Sequence, residues 1–178
     1  IMNKDFKEMK VGVVGQGFVG SSIRKFFEKK IPINTYDING KCNCQSLSEI
    51  VDKSEIIFIC LPTPMFKDGS CDLTIIENTV KEILQLNDNK ILIIKSTIPP
   101  GTTDRLISLY GDSIIFNPEF LTEANAAKDF ENQDRVIIGG YGDSQKVVYS
   151  FFKSFFSEAK IINCSPKEAE LTKYVTNT

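Results

Sequence analysis

The chain has 178 residues, 42% hydrophobic and 25% charged, a composition that supports one domain-sized core and excludes a disordered chain. Its 21 Lys and Arg against 23 Asp and Glu leave a net charge of −2 without a basic stripe, which argues against a nucleic-acid partner. No apolar run approaches the roughly 20 residues of a membrane helix, and with no histidine in the chain, His-based catalysis and His-ligated metal are excluded from it.

The first residues, Ile1-Met2-Asn3-Lys4-Asp5, do not read as a signal peptide. Together with an odd count of five cysteines, this leads to the expectation of reduced thiols in a cytoplasm. Cys42-Asn43-Cys44 has neither the spacer nor the second pair of a zinc site, so no metal is expected.

Strand-length apolar runs alternate with segments of helical period. A strand is predicted at residues 10–14, then a glycine turn and a helix over 19–30. The next strand, 33–36, ends at Asp37, and a weak one is expected at 42–45. Ser46-Leu47-Ser48-Glu49 has capping-box spacing for a short helix through Asp52. Ile56-Ile57-Phe58-Ile59-Cys60 is continuously apolar, as in a strand buried on both faces. Asp72 is placed to cap a helix over 73–86; a strand follows at 91–94, and Thr102 is placed to cap a further helix. Strands are expected at 114–116 and 136–138. The helix after Asp143 aligns Val147, Val148, Phe151, Phe152, Phe155 and Phe156 as a core stripe. A short strand at 160–163 leads to Ser165-Pro166-Lys167-Glu168, a capping box with proline at the first helical position, and that helix still runs at Thr178. The predicted fold is α/β: a Rossmann-like, doubly wound, mostly parallel sheet with helices on both faces. It is expected to occupy residues 1–164, with 165–178 the start of a connecting helix.

Gly15-Gln16-Gly17-Phe18-Val19-Gly20 fits G-x-G-x-x-G between a strand and a helix, with Asp37 at the end of the following strand. In this context the glycines serve a tight turn, close backbone approach to a pyrophosphate and helix–strand packing, while the helix start offers unpaired N–H groups to phosphates. Asp37 would accept from the adenosine ribose hydroxyls and repel a 2′-phosphate, so NAD is expected rather than NADP.

Two Pro-rich turns follow strand ends: Leu61-Pro62-Thr63-Pro64, and Ser96 to Thr103 around Pro99-Pro100-Gly101. Either they only terminate strands or they hold the Thr63 and Thr97 hydroxyls over a ligand. In Asn117-Pro118-Glu119-Phe120-Leu121-Thr122-Glu123, a helical turn would put Glu119 and Glu123 on one face. The two carboxylates would then be a general-base pair or simply solvated.

Taken in order over most of the chain, these segments resemble the N-terminal domain of the UDP-glucose/GDP-mannose dehydrogenase family. Asp68-Gly69 through Asp72-Leu73, Asp129-Phe130, Asp134-Arg135-Val136-Ile137 and Glu170 through Lys173 to Asn177 add to the likeness. The resemblance implies an NAD-dependent oxidation of a nucleotide-sugar C6 alcohol to a carboxylate through a cysteine-bound thiohemiacetal and thioester, for surface polysaccharide synthesis. It implies NAD contacts from Gly15, Gly17, Phe18, Val19, Gly20, Asp37, Pro62, Thr63 and Thr97. It further implies sugar-nucleotide contacts from Glu119, Phe120, Leu121 and Glu123, and catalytic roles for Thr97, Glu123, Lys173 and Asn177. Thr97 and Glu123 would hold the reacting water, with Glu123 serving thioester hydrolysis. Lys173 and Asn177, four apart on one helix face, would stabilise an oxyanion and orient water.

The family's nucleophilic cysteine lies in a later domain, so the isolated chain is expected to bind NAD yet turn over poorly or not at all, and the full-length protein to be a homodimer. The stretch from Asp37 to Ser54 is shorter than the family's, and Thr122 and Ala124 replace the usual Arg and Gly around Glu123. A β-hydroxyacid or 6-phosphogluconate-type dehydrogenase and a non-catalytic NAD-binding module are the alternatives.

Overall fold

The computed structural model describes residues 5–40 and 42–177, with Asn177 described in its backbone only. Seven strands form one sheet: β1 (Val11–Val14), β2 (Ile33–Tyr36), β3 (Ile56–Ile59), β4 (Ile91–Ile94), β5 (Ile114–Phe116), β6 (Arg135–Gly139) and β7 (Lys160–Cys164). Their order is β2-β1-β3-β4-β5-β6-β7. Every pairing is parallel except β5 with β6. Strands β1, β3, β4 and β5 are buried along their whole length, because helices cover both faces and leave no polar side to alternate with.

One face is covered by α1 (Phe18–Phe27), α5 (Ala126–Glu131) and α6 (Gly142–Phe155). Its core is a phenylalanine cluster in which Phe26 stacks on Phe156 at 4.7 Å, Phe27 meets Phe130 edge to face, and Phe58 and Phe151 pack against Phe27 in tilted contact. The expected α6 stripe supplies much of it. On the other face, α2 (Leu47–Lys53), α3 (Thr74–Leu86) and α4 (Thr102–Tyr110) pack aliphatic side chains such as Ile50, Val80 and Leu106. Among the described residues, no helix is long and apolar enough to cross a membrane.

Two expectations fail locally. Residues 42–45 form no strand. Instead the Asn43 side chain accepts from the Thr35 N–H at 2.7 Å and donates to the Ile33 carbonyl at 2.9 Å, while the Cys44 N–H donates to the Thr35 carbonyl. A side-chain amide thus takes the place of a neighbouring strand and blunts the sheet edge at β2. Thr102 does not cap α4; Gly101 precedes the first turn, and the Thr102 hydroxyl donates back to the Pro99 carbonyl.

The N–H groups that open α4 are satisfied by Glu170 of α7 (Pro166–Asn177), whose buried carboxylate accepts from Gly101 N–H at 3.1 Å and from the Thr103 N–H and hydroxyl at 3.2 and 3.3 Å. Burial raises the carboxyl group's pKa against those bonds, which pull it down. By this bond α7 is fastened across β6 to the turn after β4. Replacing Glu170 with alanine strands three donors, two of them on buried Thr103, and is expected to cost about 1–2 kcal/mol of stability, read as a shift of the urea midpoint at unchanged slope.

Candidate cofactor cleft and neighbouring cavity

The sheet changes direction between β1, which leads to β2 on one side, and β3 on the other. At such a switch point the loops leaving neighbouring strands diverge and open a crevice beyond their carboxyl ends. Here a cavity of about 940 Å³ occupies that position, lined by the glycine turn, the β2 exit and the turns after β3 and β4.

The glycine turn is built by backbone. Gly15 has φ of 93°, in the left-handed region, and its N–H donates to the Tyr36 carbonyl at 2.8 Å. A methyl group on Gly20 would overlap the Gly15 carbonyl oxygen, so the turn and α1 touch without a side chain between them. At Gly17, which precedes α1, a methyl would meet no protein atom within 4 Å. Its open side leaves the helix N-terminus free to receive an anion.

Asp37 stands half-buried beside that helix start. One carboxylate oxygen accepts from Gln16 N–H at 2.7 Å and the other from Asn39 N–H at 2.8 Å. The two bonds fix the carboxylate while leaving lone pairs for ribose hydroxyls. Opposite, the two Pro-rich turns are laced together. Ser96 hydroxyl donates to the Leu61 carbonyl at 2.6 Å and accepts the Leu61 N–H at 3.0 Å, and Thr63 hydroxyl donates to the Thr97 carbonyl at 2.9 Å. Gly15, Gly17, Phe18, Val19, Asp37, Pro62, Thr63 and Thr97 therefore meet on one cleft; Gly20 supports it from behind.

A second cavity of about 570 Å³ adjoins it under the turn after β5, lined in part by Phe120, Leu121, Arg135 and Thr176, and Lys95 and Glu119 line both. The segment Asn117 to Thr122 is irregular and Glu123 opens a short 3-10 turn, so Glu119 and Glu123 do not share a helix face. Asn117 leaves β5 already committed, donating to the Ile137 carbonyl of β6 at 2.7 Å, and Pro118 follows, which disfavours helix entry. Glu119 is buried instead. Its carboxylate pairs with the Lys173 ammonium at 2.8 Å, Lys173 also donates to the Glu119 carbonyl at 2.5 Å, and the second carboxylate oxygen accepts the Leu121 N–H. Glu123 is exposed and lines neither cavity. Asn177 closes α7, and its side chain lies outside the described residues.

The sequence reading passed over Lys95. This lysine leaves the end of β4, is 3% exposed, and donates to Asn117 Oδ1 at 2.7 Å. Burial lowers its pKa to about 8, and burial likewise pushes the Cys60 thiol up to about 12, too high for a nucleophile at neutral pH. The signal for Lys95 was a lone charge ending an otherwise all-apolar strand. Among the described residues, no group of His, Cys, Asp or Glu could hold a metal ion.

A doubly wound sheet whose switch point carries a glycine turn, an open helix N-terminus and an acid on the adjoining strand defines a dinucleotide-binding domain of the NAD type. Comparison with known proteins agrees. The sequence profile described as "UDP-glucose/GDP-mannose dehydrogenase family, NAD binding domain" matches residues 34–158, and the chain belongs to that family, with NAD as its cofactor. It is 34% identical over 133 residues to UDP-glucose 6-dehydrogenase TuaD of Bacillus subtilis, covering 70% of this chain and 29% of that protein. To UDP-glucose 6-dehydrogenase of Pseudomonas aeruginosa it is 32% identical over 148 residues, covering 74% of this chain and 32% of that protein. A solved UDP-glucose dehydrogenase from the hyperthermophilic archaeon Pyrobaculum islandicum superposes with a TM-score of 0.82 at 26% identity, over 96% of this chain and 50% of that one. The chain thus spans half or less of each of these relatives.

Proposed function

We propose that this chain is the cofactor-binding part of a nucleotide-sugar 6-dehydrogenase that oxidises a sugar C6 alcohol to a carboxylate, with a UDP-glucose or GDP-mannose type of substrate. The observation that carries the proposal is Glu119, which lines both the NAD cleft and the second cavity and is paired from behind by the buried Lys173. An alcohol held in the second cavity would there meet the Glu119 carboxylate, with the Lys173 ammonium behind it to steady developing negative charge. Glu119, Phe120 and Leu121 are proposed to contact the sugar nucleotide. Thr97, Lys173 and Asn177 are proposed as catalytic groups, and Glu123, exposed beside the turn after β5, as the group that meets water once substrate covers it. In the cleft, the glycine turn would hold the pyrophosphate and Asp37 the adenosine ribose; bound NAD supplies the hydride acceptor. The thioester nucleophile is proposed to lie outside this chain, since the cleft's own cysteine, Cys60, is held as a neutral thiol. Cytoplasmic location and a dimeric full-length protein belong to the same proposal.

Calorimetric titration of the chain with NAD and NADP, followed by NADH assays with UDP-glucose and GDP-mannose, tests it. NAD is expected to bind at least about tenfold more tightly than NADP, with Asp37→Ala narrowing the gap, and the chain alone is expected to form no NADH. Full-length protein carrying the chain should form two NADH per sugar oxidised. Steady NADH formation by the chain alone, or none by the full-length protein with any nucleotide sugar, would contradict the proposal.

A further inference from the structure

The cleft runs from Asp37 at the β2 exit to Lys95 at the β4 exit, three strands across, or about 14 Å at the usual strand spacing. With adenosine held at Asp37, the nicotinamide half falls towards β4. That half is where the two cofactor forms differ in charge: the oxidised ring is a cation and the reduced ring is neutral.

Lys95 lines that end of the cleft from within the protein. The titratable groups around its ammonium are Cys60 from the end of β3, Glu119 from beyond β5 and Lys173 from α7. From α5 comes the ring of Phe130, with its centroid 5.8 Å from Nζ. Tyr36, Asp37 and Glu82 are the other ionisable groups lining the cleft, and Asp129, Asp134 and Arg135 line the second cavity that Lys95 also borders. Glu119 and Lys173 cancel as an ion pair, and Cys60 is neutral. Within the cluster of Lys95, Cys60, Glu119 and Lys173 the net charge is therefore decided by Lys95: plus one when it is protonated, zero when it is not. Asn117, oriented by its bond to the Ile137 carbonyl, holds the amine in place in either state.

We propose that Lys95 sets the preference of the cleft between oxidised and reduced cofactor, its buried ammonium disfavouring the cationic nicotinamide of NAD⁺ and leaving that of NADH without penalty. The inference rests on the cofactor reading of the cleft and adds to it a residue that discriminates redox state. Because burial brings the amine's pKa to about 8, its charge is lost within an accessible range. The sign follows directly. Below that value the ammonium opposes NAD⁺; as pH rises through it, the opposition is lost and NAD⁺ binding tightens, whereas NADH binding does not change for this reason.

The test needs only the chain itself and calorimetric dissociation constants for NAD⁺ and NADH between about pH 6.5 and about pH 9.5. The NAD⁺/NADH ratio of dissociation constants is expected to fall by about tenfold over that range. Lys95→Met should hold the ratio low throughout. Lys95→Arg, which stays charged, should hold it high. A flat ratio in the wild-type chain, with both dinucleotides bound, overturns the role of Lys95 and leaves the NAD site standing. Failure of both dinucleotides to bind overturns both.

Discussion

Gly17→Ala and Gly20→Ala are both expected to abolish measurable NAD binding, and only Gly20→Ala is expected to destabilise the fold. The difference lies in what the added methyl meets. At Gly20 it would overlap the carbonyl of Gly15, a backbone group pinned by its own left-handed turn and by the Gly15 N–H bond to Tyr36. Neither α1 nor the turn can yield by rotating a side chain, so the helix must shift off β1. We expect about 3 kcal/mol of lost stability, the upper end for overpacking. At Gly17 the methyl meets no protein atom within 4 Å, and φ of −66° with ψ of −166° suits alanine. Stability there should move by under about 1 kcal/mol, yet the methyl occupies the space in which the pyrophosphate approaches the helix start. Affinity for NAD should fall by about a hundredfold or more in both variants. Thermal melts and calorimetry separate the two effects. Gly17→Ala binding NAD like the wild type would remove the pyrophosphate from this turn.

The centre of the sheet was legible because β1, β3, β4 and β5 are buried on both faces and so appear as mostly Val and Ile runs. The glycine turn was legible because its chemistry is local: backbone spacing within six residues, plus one acid at the end of the next strand. What escaped was long-range. Nothing near Thr103 signals that α4 is capped by a carboxylate from α7, since Glu170 lies 67 residues further on. Asn43 was invisible as a strand substitute because its amide works by matching the Thr35 backbone, and the surrounding apolar pattern is the same as a weak strand's. Glu119 and Glu123 were paired by helical spacing, but Asn117 and Pro118 keep the backbone out of a helix there, and Glu119 finds its partner on α7. Lys95 was missed for a similar reason. A lysine after four aliphatic residues reads as the solvated end of a strand, and only the packing of Phe130 and Asn117 around it shows that it is enclosed.

Lys173→Met is expected to destabilise the chain by about 3–5 kcal/mol, the cost of leaving one partner of a buried ion pair without its counter-charge. Glu119 is 9% exposed; without Lys173 its carboxylate keeps only the Leu121 N–H, and its carbonyl also loses a donor. Glu119→Gln should cost less, about 1–2 kcal/mol, because the amide oxygen and the Glu119 carbonyl can still accept from the ammonium. Replacing both residues with apolar side chains should recover much of the loss, since a well-packed hydrophobic pair avoids desolvating two charges. A double-mutant cycle by urea unfolding reads the coupling directly, and additive single losses would show that the two groups do not depend on each other. Recovery of stability without recovery of turnover in the full-length protein would further separate the pair's two roles. A fold needing only a filled contact between α7 and the turn after β5 would accept the apolar version; a site that must stabilise charge on a sugar oxygen would not.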